Sequence, residues 1–378
     1  MSLNRGDQVR MYTIWIALFI SIIIFPGTRI SVVTGLNGEI RGQIDGLQVG
    51  EPTTDADWNS DNSILAVSRI FSGIYLYNSS FQEIGFIPIS TSGGISKIAW
   101  SPINPKVIAV VSTGTPNTRI EVWNIDDTKM LFSTALPLSD FHSISWSPDG
   151  IKLAIVGGFI GEVWDITTRA KSFEFDRTGT LADDSLYVVD WNSAENLIAT
   201  DGVGEETVFW NANTGNKVAT IPSGGFIAWS PNGSYIAIVN ETIQIFDTDL
   251  NQVISPILIN GRPSLVKWQG NTLVISSFND SQMGRVITLI NTNTFEVIDT
   301  IELDYTPAII ALTSGGEVLT LVDSAGNFEV LPITSNCNFS PTEIIQLITD
   351  ITTANGTPEP DTICLTDSTY TFTTAHIP

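Results

Sequence analysis

The stretch FHSISWSPDGIKLAIVGGFIGEVWD, from Phe141 to Asp165, contains three short strand-like runs in about 25 residues. The first run ends at Trp146, and a Ser-Pro-Asp-Gly turn follows it. Proline at the second turn position presets φ, and glycine accepts the positive φ that closes a tight hairpin. An apolar run then begins at Leu153, and a third run ends at Trp164-Asp165. The stretch therefore predicts three antiparallel strands joined by short turns.

The aromatic residue that ends the first run recurs along the chain. Its positions are Trp58, Trp100, Trp146, Trp191, Trp229, Trp268 and, with leucine in its place, Leu312. These positions, which we call the anchors, lie about 42 residues apart, the length of a unit of four short strands. The chain is therefore predicted to be all-β, a seven-bladed β-propeller of four-stranded antiparallel blades.

The later runs of each unit fit this architecture. The second run is apolar without polar alternation, as in Ile64 to Val67, which predicts a strand covered on both faces. The third run ends at a residue suited to start a turn. These residues are Asn78, Asn124, Asp165, Asn211, Asp247, Asn291 and Pro332. Their side chains are interpreted as structural rather than catalytic.

The seventh unit ends at Leu331 without an outer strand of its own. The segment from Gly38 to Leu47, ahead of the first anchor, belongs to no unit. We expect this segment to supply the missing outer strand and to close the ring, because closure removes exposed sheet edges.

The chain resembles the WD-repeat family over residues 38–333. The resemblance is carried by the Trp-Ser-Pro turns that begin at Trp100, Trp146 and Trp229, and by the strand end at Trp164-Asp165. The chain contains one Trp-Asp dipeptide and no Gly-His dipeptide. The resemblance implies a propeller that acts as a binding or protein-interaction module on one of its faces.

The N-terminal residues 1–35 have the pattern of an export or anchoring signal. Arg5 and Arg10 precede an apolar run from Met11 to Phe25, which Pro26 ends. Fifteen residues make about 22 Å of helix, less than the roughly 30 Å hydrocarbon core of a bilayer. A cleaved secretory signal and an uncleaved membrane anchor both remain open, with a buried core helix as a third alternative. The first two predict an extracytoplasmic protein, secreted or tethered to the membrane.

Residues 334–378 are predicted to form a short helix-plus-strand extension. A helix start at Ser340-Pro341 precedes two strand-like pieces, and the segment resembles the cap and first coil of secreted right-handed parallel β-helix domains. The two cysteines, Cys337 and Cys364, bracket the predicted helix. In an exported chain they are expected to form a disulfide, with two free thiols as the alternative.

The composition limits the classes of function. The net charge is −23, so nucleic acid and acidic membrane surfaces are unlikely partners. The chain has only two histidines and contains no phosphate-binding loop, His-Glu-x-x-His motif or EF-hand loop. No cofactor is expected, and calcium at the acidic pairs Asp55-Ala-Asp57 or Asp183-Asp184, just ahead of first strands, is a weaker alternative to solvated carboxylates.

The loops that lead into the first strands are predicted to form the binding face. Candidate binding residues there are Asp140, Phe141, His142, Asp183, Asp184, Phe226, Arg262 and Tyr305. Aromatic residues and arginine are typical anchors of binding surfaces. The sequence therefore favours a monomeric, non-catalytic module for a protein, peptide or glycan. The alternatives are a metal-assisted hydrolase or lyase acting at the central opening, and a fragment of a surface adhesin.

Overall fold

A computed structural model of the chain describes residues 33–34, 40–43, 52–79, 81–89, 94–114, 118–136, 142–158, 160–175, 185–194, 196–202, 206–279, 284–303, 309–316, 318–322 and 327–333. Most of the predicted signal or anchor lies outside these ranges. The predicted extension lies wholly outside them, together with Cys337 and Cys364. Within the described ranges, no helix has the length and hydrophobicity needed to cross a bilayer.

Six sheets each contain four strands that are consecutive in the sequence. Blade 1 contains β3 (Thr53–Trp58), β4 (Ile64–Arg69), β5 (Gly73–Asn78) and β6 (Glu83–Pro88). Blade 2 contains β7 (Gly94–Trp100), β8 (Val107–Thr113), β9 (Thr118–Asn124) and β10 (Lys129–Leu136). Blade 3 contains β11 (Ser143–Trp146), β12 (Lys152–Gly157), β13 (Ile160–Asp165) and β14 (Ala170–Glu174).

The next three blades repeat the same order. Blade 4 contains β15 (Leu186–Trp191), β16 (Leu197–Gly202), β17 (Thr207–Asn211) and β18 (Lys217–Ile221). Blade 5 contains β19 (Phe226–Trp229), β20 (Tyr235–Val239), β21 (Thr242–Asp247) and β22 (Ile257–Leu258). Blade 6 contains β23 (Arg262–Gln269), β24 (Thr272–Asn279), β25 (Gly284–Asn291) and β26 (Glu296–Leu303).

The seventh sheet joins the two ends of the propeller. It combines β27 (Ile309–Leu312), β28 (Val318–Val322) and β29 (Asn327–Pro332) with β2 (Ile40–Gln43) and β1 (Val33–Thr34). Strand β2 pairs antiparallel with β29, with Ile40 opposite Val330. The predicted closure by the segment ahead of the first anchor is therefore confirmed. The fifth strand, β1, was not predicted, because its two residues fall within the segment interpreted as the signal.

The prediction of seven four-stranded blades is confirmed. Six of the seven anchors are the last residue of their first strand, and in blade 6 the strand continues one residue further, to Gln269. All seven third strands end at the predicted turn residue. The second strands are buried as expected: every residue of β4 is buried.

The core lies between neighbouring blades rather than at the centre of the ring. Between blades 7 and 1, Trp58 and Val67 pack in one cluster with Ala311 and Val330. The anchor tryptophans add hydrogen bonds across these interfaces. Trp100 Nε1 donates to the carbonyl of Asp57 at 2.9 Å, and Trp146 Nε1 donates to the carbonyl of Ala99 at 3.0 Å. Trp100 and Trp146 thus each join their own blade to the preceding one. Trp229 does not follow this pattern, because its Nε1 is buried without a hydrogen-bond partner among the described residues.

The turn after each anchor has the predicted chemistry. In blade 3 the Lys152 backbone N–H donates to Ser147 Oγ at 2.8 Å, and Ser147 Oγ donates to Asp149 Oδ1 at 2.5 Å. Gly150 closes the turn with φ of 65°, a conformation that costs glycine little. The turn at Asp165 also behaves as predicted, because its Oδ1 accepts the backbone N–H groups of both Thr167 and Thr168 at 2.8 Å.

Candidate functional site

The two faces of the propeller carry different connections. Neighbouring strands of a blade run antiparallel, so each first strand begins at the face where the second strand ends. We call this the loop face, because it carries the connections between blades and those between second and third strands. The opposite face carries the turns that follow the anchors, and we call it the turn face.

Four of the seven residues immediately before the anchors are polar and make contacts between blades. Lys267 Nζ in blade 6 contacts Asp57 Oδ1 in blade 1 at 3.2 Å, although blade 7 separates the two blades. Both side chains must therefore point toward the axis. Burial lowers the pKa of Lys267, but the carboxylates of Asp57 and Asp55 outweigh this effect, so the pKa lies above its ordinary value. The ammonium of Lys267 therefore stays charged and holds two blades together.

Asp55 joins blade 1 to blade 2 in a similar way. Its Oδ2 accepts the backbone N–H of Ile98 at 3.1 Å, and Lys97 Nζ lies 3.7 Å from its Oδ1. The Asp55-Ala-Asp57 pair was predicted to lie just ahead of a first strand, and this prediction was wrong. Both residues lie inside β3, which begins at Thr53. The strand begins earlier than predicted, and a bulge between Thr53 and Asp55 shifts the register and redirects the side chains that follow.

Asp190 joins three blades. Its Oδ1 accepts a hydrogen bond from Ser145 Oγ in blade 3 at 3.2 Å, and its Oδ2 accepts the Trp229 backbone N–H in blade 5 at 2.7 Å. Burial raises the pKa of Asp190 to about 6, and these hydrogen bonds only partly oppose that rise. Asp190 therefore acts as a structural bridge between blades.

The axial carboxylates are engaged by groups of the protein itself. Asp55, Asp57 and Asp190 each accept a hydrogen bond or pair with a lysine from another blade. Across the described ranges, no three histidine, cysteine, aspartate or glutamate side chains are grouped so that they could hold a metal ion. These contacts hold blades of the ring together.

The loop face of blades 3 and 4 carries an aromatic pair. His142 lies just ahead of β11, as predicted, and its ring contacts Tyr187 of β15 edge-on with centroids 4.7 Å apart. Tyr187 is 44% exposed. Because the His142 ring of the neighbouring blade supports it, the half-exposed Tyr187 side chain presents an apolar ring in a fixed position with a polar hydroxyl at its tip.

The same face carries a basic and aromatic group on blade 6. Arg262 is the first residue of β23 and is exposed. It lies opposite Phe278, and Phe278 lies opposite Arg285 in the next strand. The Phe278 ring is 41% exposed, and the Arg285 guanidinium stacks on it at 4.1 Å. Phe226, the first residue of β19, lies on this face in blade 5 and is half-buried.

The turn face is closed by contacts between successive turns. Asn192 Nδ2 in blade 4 donates to the Gly233 carbonyl in blade 5 at 2.8 Å. The Ser314 backbone N–H in blade 7 donates to Asn62 Oδ1 in blade 1, also at 2.8 Å. In these contacts, polar groups of the turns bond to one another within the molecule. Those groups are therefore not free to bind a partner on the turn face.

The structure thus describes three of the eight predicted binding residues and places all three on the loop face. They are His142, Phe226 and Arg262. The other five lie outside the described residues: Asp140, Phe141, Asp183, Asp184 and Tyr305. The described three are spread over blades 3, 5 and 6, so they do not form one compact cluster.

Sequence reasoning missed Tyr187, Phe278 and Arg285. Tyr187 could have been found, since it sits four residues before an anchor at the start of a first strand. Phe278 and Arg285 end one strand and begin the next, so their contact depends on the β24–β25 register. No local motif marks that register.

The fold, the anchors and the turns together define the class of protein: a WD-repeat-like seven-bladed β-propeller. Comparison with known proteins agrees with this class. The chain is similar to the F-box-like/WD repeat-containing protein TBL1Y of Homo sapiens, with 24% identity over 140 residues. It is equally similar to the F-box-like/WD repeat-containing protein TBL1X of Mus musculus, with 24% identity over 140 residues.

These similarities are partial. Each alignment covers 33% of this chain and 25% of the length of the relative. The chain therefore matches about a quarter of each of these relatives. No family model matches the chain.

Proposed function

We propose that this chain is a non-catalytic binding propeller that holds a protein or peptide partner on its loop face. The observation that carries the proposal is the contrast between the two faces. The loop face presents the aromatic residues Tyr187 and Phe278 half-exposed, while the turns of the opposite face bond to one another and expose the aliphatic Ile103. WD-repeat propellers generally bind protein partners, which favours the same role.

The chemistry of the loop face suits a polypeptide partner. Tyrosine, other aromatic residues and arginine contribute most of the binding energy in protein interfaces, because they bury a large area at a small entropic cost. The exposed ring of Tyr187 is backed by His142, and the exposed ring of Phe278 is backed by Arg285. Both rings are therefore held in position before a partner arrives, which lowers the entropic cost of binding.

The axial carboxylates favour binding over catalysis. A metal-assisted hydrolase or lyase needs several free carboxylates or imidazoles that converge on one point. Here Asp57 is paired with Lys267, and Asp190 is held by Ser145 and Trp229. Their structural roles leave little capacity for chemistry at the axis.

The first test is partner binding by loop-face variants. The full chain is used to capture its partner from the native host, the partner is purified, and its affinity is measured by biolayer interferometry. We expect Tyr187→Ala to weaken the affinity by about tenfold, the cost of losing one aromatic anchor. The matched control is Ile103→Ala on the turn face, where the side chain is 64% exposed. This control should bind within about twofold of the unchanged protein.

The proposed function fails if the turn-face variant loses affinity and the loop-face variants His142→Ala and Tyr187→Ala do not. Thermal melting of every variant separates loss of binding from loss of fold. Because Tyr187 and Ile103 are both largely exposed, neither truncation should lower the melting temperature by more than a few degrees.

We also propose that the propeller works outside the cytoplasm. The support is the basic and then apolar pattern of residues 1–35. Fractionation of the native host, followed by N-terminal sequencing of the purified protein, tests this. A chain in the extracytoplasmic fraction that begins near residue 36, or an intact chain in the membrane fraction, is the expected result. An intact chain in the cytosol would refute the proposal.

A further inference from the structure

Arg285 is a partly buried cation with an unusual set of contacts. It is the second residue of β25, at the loop-face end of blade 6. Its Nη1 donates to Ser276 Oγ at 3.0 Å and to Ser264 Oγ. Its guanidinium stacks on the ring of Phe278 at 4.1 Å. Two hydroxyl dipoles and an aromatic face therefore hold the side chain in a defined orientation.

No carboxylate of the described residues neutralises Arg285. Its Nε is enclosed and makes no hydrogen bond with the described part of the protein. By contrast, Lys97, Lys171 and Lys267 each pair with an acidic side chain. The net charge of −23 makes such partners abundant. Burial lowers the pKa of Arg285, and no nearby charge opposes that effect. Partial desolvation without a counter-ion disfavours the charged guanidinium, so an anion placed beside it would be stabilised.

Arg285 belongs to a strip of three residues on one side of blade 6. The register places Arg262 opposite Phe278, and Phe278 opposite Arg285. Residues directly opposite one another in an antiparallel pair lie on the same side of the sheet. On that side, Val274 and Ile287 pack against blade 7, so the strip lies at the upper edge of the interface between blades 6 and 7. We call these residues the blade 6 strip.

We propose that the blade 6 strip binds a carboxylate-bearing, acidic segment of the protein partner, an inference that rests on the proposed function of the loop face. The carboxylate pairs with the Arg285 guanidinium, and an apolar side chain of the same segment covers the exposed part of Phe278. Both N–H groups of Nη1 are used by Ser264 and Ser276, and Nε is enclosed, so the carboxylate pairs with the two N–H groups of Nη2. Hydrogen bonds between two charged groups are stronger than those between neutral groups. On a protein as acidic as this one, the Arg285 guanidinium beside an exposed ring forms a local site for an anion.

Blade 2 offers a matched position that lacks the other features. Arg119 is the second residue of β9, as Arg285 is of β25, and its Nη1 donates to Ser133 Oγ at 2.7 Å. Arg119 is exposed, and the residue opposite it in the neighbouring second strand is Ser112 rather than an aromatic residue. The two arginines carry the same charge at the same place in their blades, so Arg119 is the control for Arg285.

The test uses the full chain and three synthetic fluorescent peptides of equal length. The first alternates glutamate with leucine, the second has glutamine in place of glutamate, and the third has phosphoserine in place of glutamate. Fluorescence anisotropy measures their binding. We expect the glutamate peptide to bind, the glutamine peptide to bind at least about tenfold more weakly, and added salt to weaken the difference. Arg285→Gln and Phe278→Ala should each reduce glutamate-peptide affinity by about tenfold, and Arg119→Gln should not.

The other outcomes would overturn the inference. Equal binding of the glutamate and glutamine peptides, or equal losses in Arg285→Gln and Arg119→Gln, would show that the strip does not recognise carboxylates. Tighter binding of the phosphoserine peptide would assign the strip to phosphate instead. Melting curves of all variants identify any loss that comes from unfolding. Arg285→Lys keeps the charge, but a single ammonium cannot hold both serine hydroxyls and a carboxylate in the same arrangement, so this variant should bind weakly but fold normally.

The same variants separate this inference from the proposed function. If Tyr187→Ala weakens capture of the natural partner while Arg285→Gln does not, the loop face is the binding face and the strip plays no part. If neither variant weakens it, both proposals fail.

Discussion

A variant that lacks residues 1–43 should unfold at a temperature roughly 10 °C below that of a variant that lacks only residues 1–32. The first deletion removes β1 and β2, and the second leaves both strands in place. Differential scanning calorimetry of the two proteins measures the difference. We also expect limited proteolysis to cut the shorter protein first within blade 7, whose outer edge has been uncovered.

The physical reason is that β2 completes blade 7, which is built from both ends of the propeller. It pairs with β29 over four residues, from Ile40 opposite Val330 to Gln43 opposite Asn327. Without it, the backbone groups of β29 that face outward lose their partners, and blade 7 becomes a three-stranded sheet. Val330 and Ala311 pack against Trp58 of blade 1, so loosening blade 7 also weakens the contact that closes the ring. Together, these losses lower the free energy of unfolding by several kcal/mol.

The comparison between the two deletions isolates the closing strands from the rest of the N-terminal segment. If both proteins melt at the same temperature, the pairing of β2 with β29 does not stabilise the ring. If the protein lacking residues 1–32 already melts far below the full chain, the stabilising residues lie before β1.

Asp201→Asn should make the protein more stable at pH 8 and leave its stability nearly unchanged at pH 5. Asp201 is 3% exposed and accepts a hydrogen bond from Thr207 Oγ1 at 2.7 Å. Burial raises its pKa from 3.8 to about 7, more than that hydrogen bond and two backbone N–H groups lower it. Asparagine has nearly the same shape, keeps an oxygen as acceptor and never becomes charged.

The sign follows from proton binding. Between pH 3.8 and about 7 the unfolded chain has lost the proton of this carboxyl while the folded chain keeps it. The folded state therefore binds more protons, and the free energy of unfolding falls as the pH rises through this window. Above about pH 7 the folded protein bears the full cost of burying the charged Asp201 carboxylate, which lowers the free energy of unfolding by on the order of 2–4 kcal/mol. The asparagine variant escapes this penalty, and urea unfolding at the two pH values measures it.

Asp165→Asn is the control, because the pKa of Asp165 is shifted in the direction opposite to that of Asp201. Hydrogen bonds from the Thr167 hydroxyl and from the backbone of Thr168 lower the pKa of Asp165, which lies in an exposed turn. Its ionised form stabilises the turn above its ordinary pKa of 3.8, and that contribution is lost as the pH falls through the lowered value. This variant should therefore be less stable than the unchanged protein at pH 8. A stability gain at pH 8 in both variants would show that simple removal of negative charge, not burial of Asp201, is responsible.

The regular part of the fold could be predicted because the turns of each repeat are formed by contacts between residues close together in the sequence. Ser147 to Gly150 make a turn from four adjacent residues, and Asp165 binds the backbone only two and three residues ahead. Such contacts are visible in the sequence. The closing strand could also be predicted, because a seventh unit without an outer strand leaves one unpaired edge that a segment ahead of the first anchor can fill.

The candidate sites could be predicted only in part, because their residues are distant in sequence. Lys267 and Asp57 are separated by 210 positions, and Asp190 meets Ser145 and Trp229 through two blade interfaces. The bulge that redirects Asp55 depends on the pairing of β3 with β4. Position on the loop face could be predicted from spacing, as His142 and Arg262 show. The aromatic and basic neighbours that support them could not.

The pairing of β2 with β29 also sets the order of events during synthesis. Residues 40–43 leave the ribosome first among the described blades, yet their partner lies near residue 330. Blades 1 to 6 are each continuous in sequence and can form as they emerge, but the ring cannot close until almost the whole propeller has been made. Until then, β2 is an unpaired strand beside a growing row of blades. An unpaired strand can pair with another chain and aggregate, so correct folding requires that β2 stay unpaired, or be bound by a chaperone, until β29 has been made.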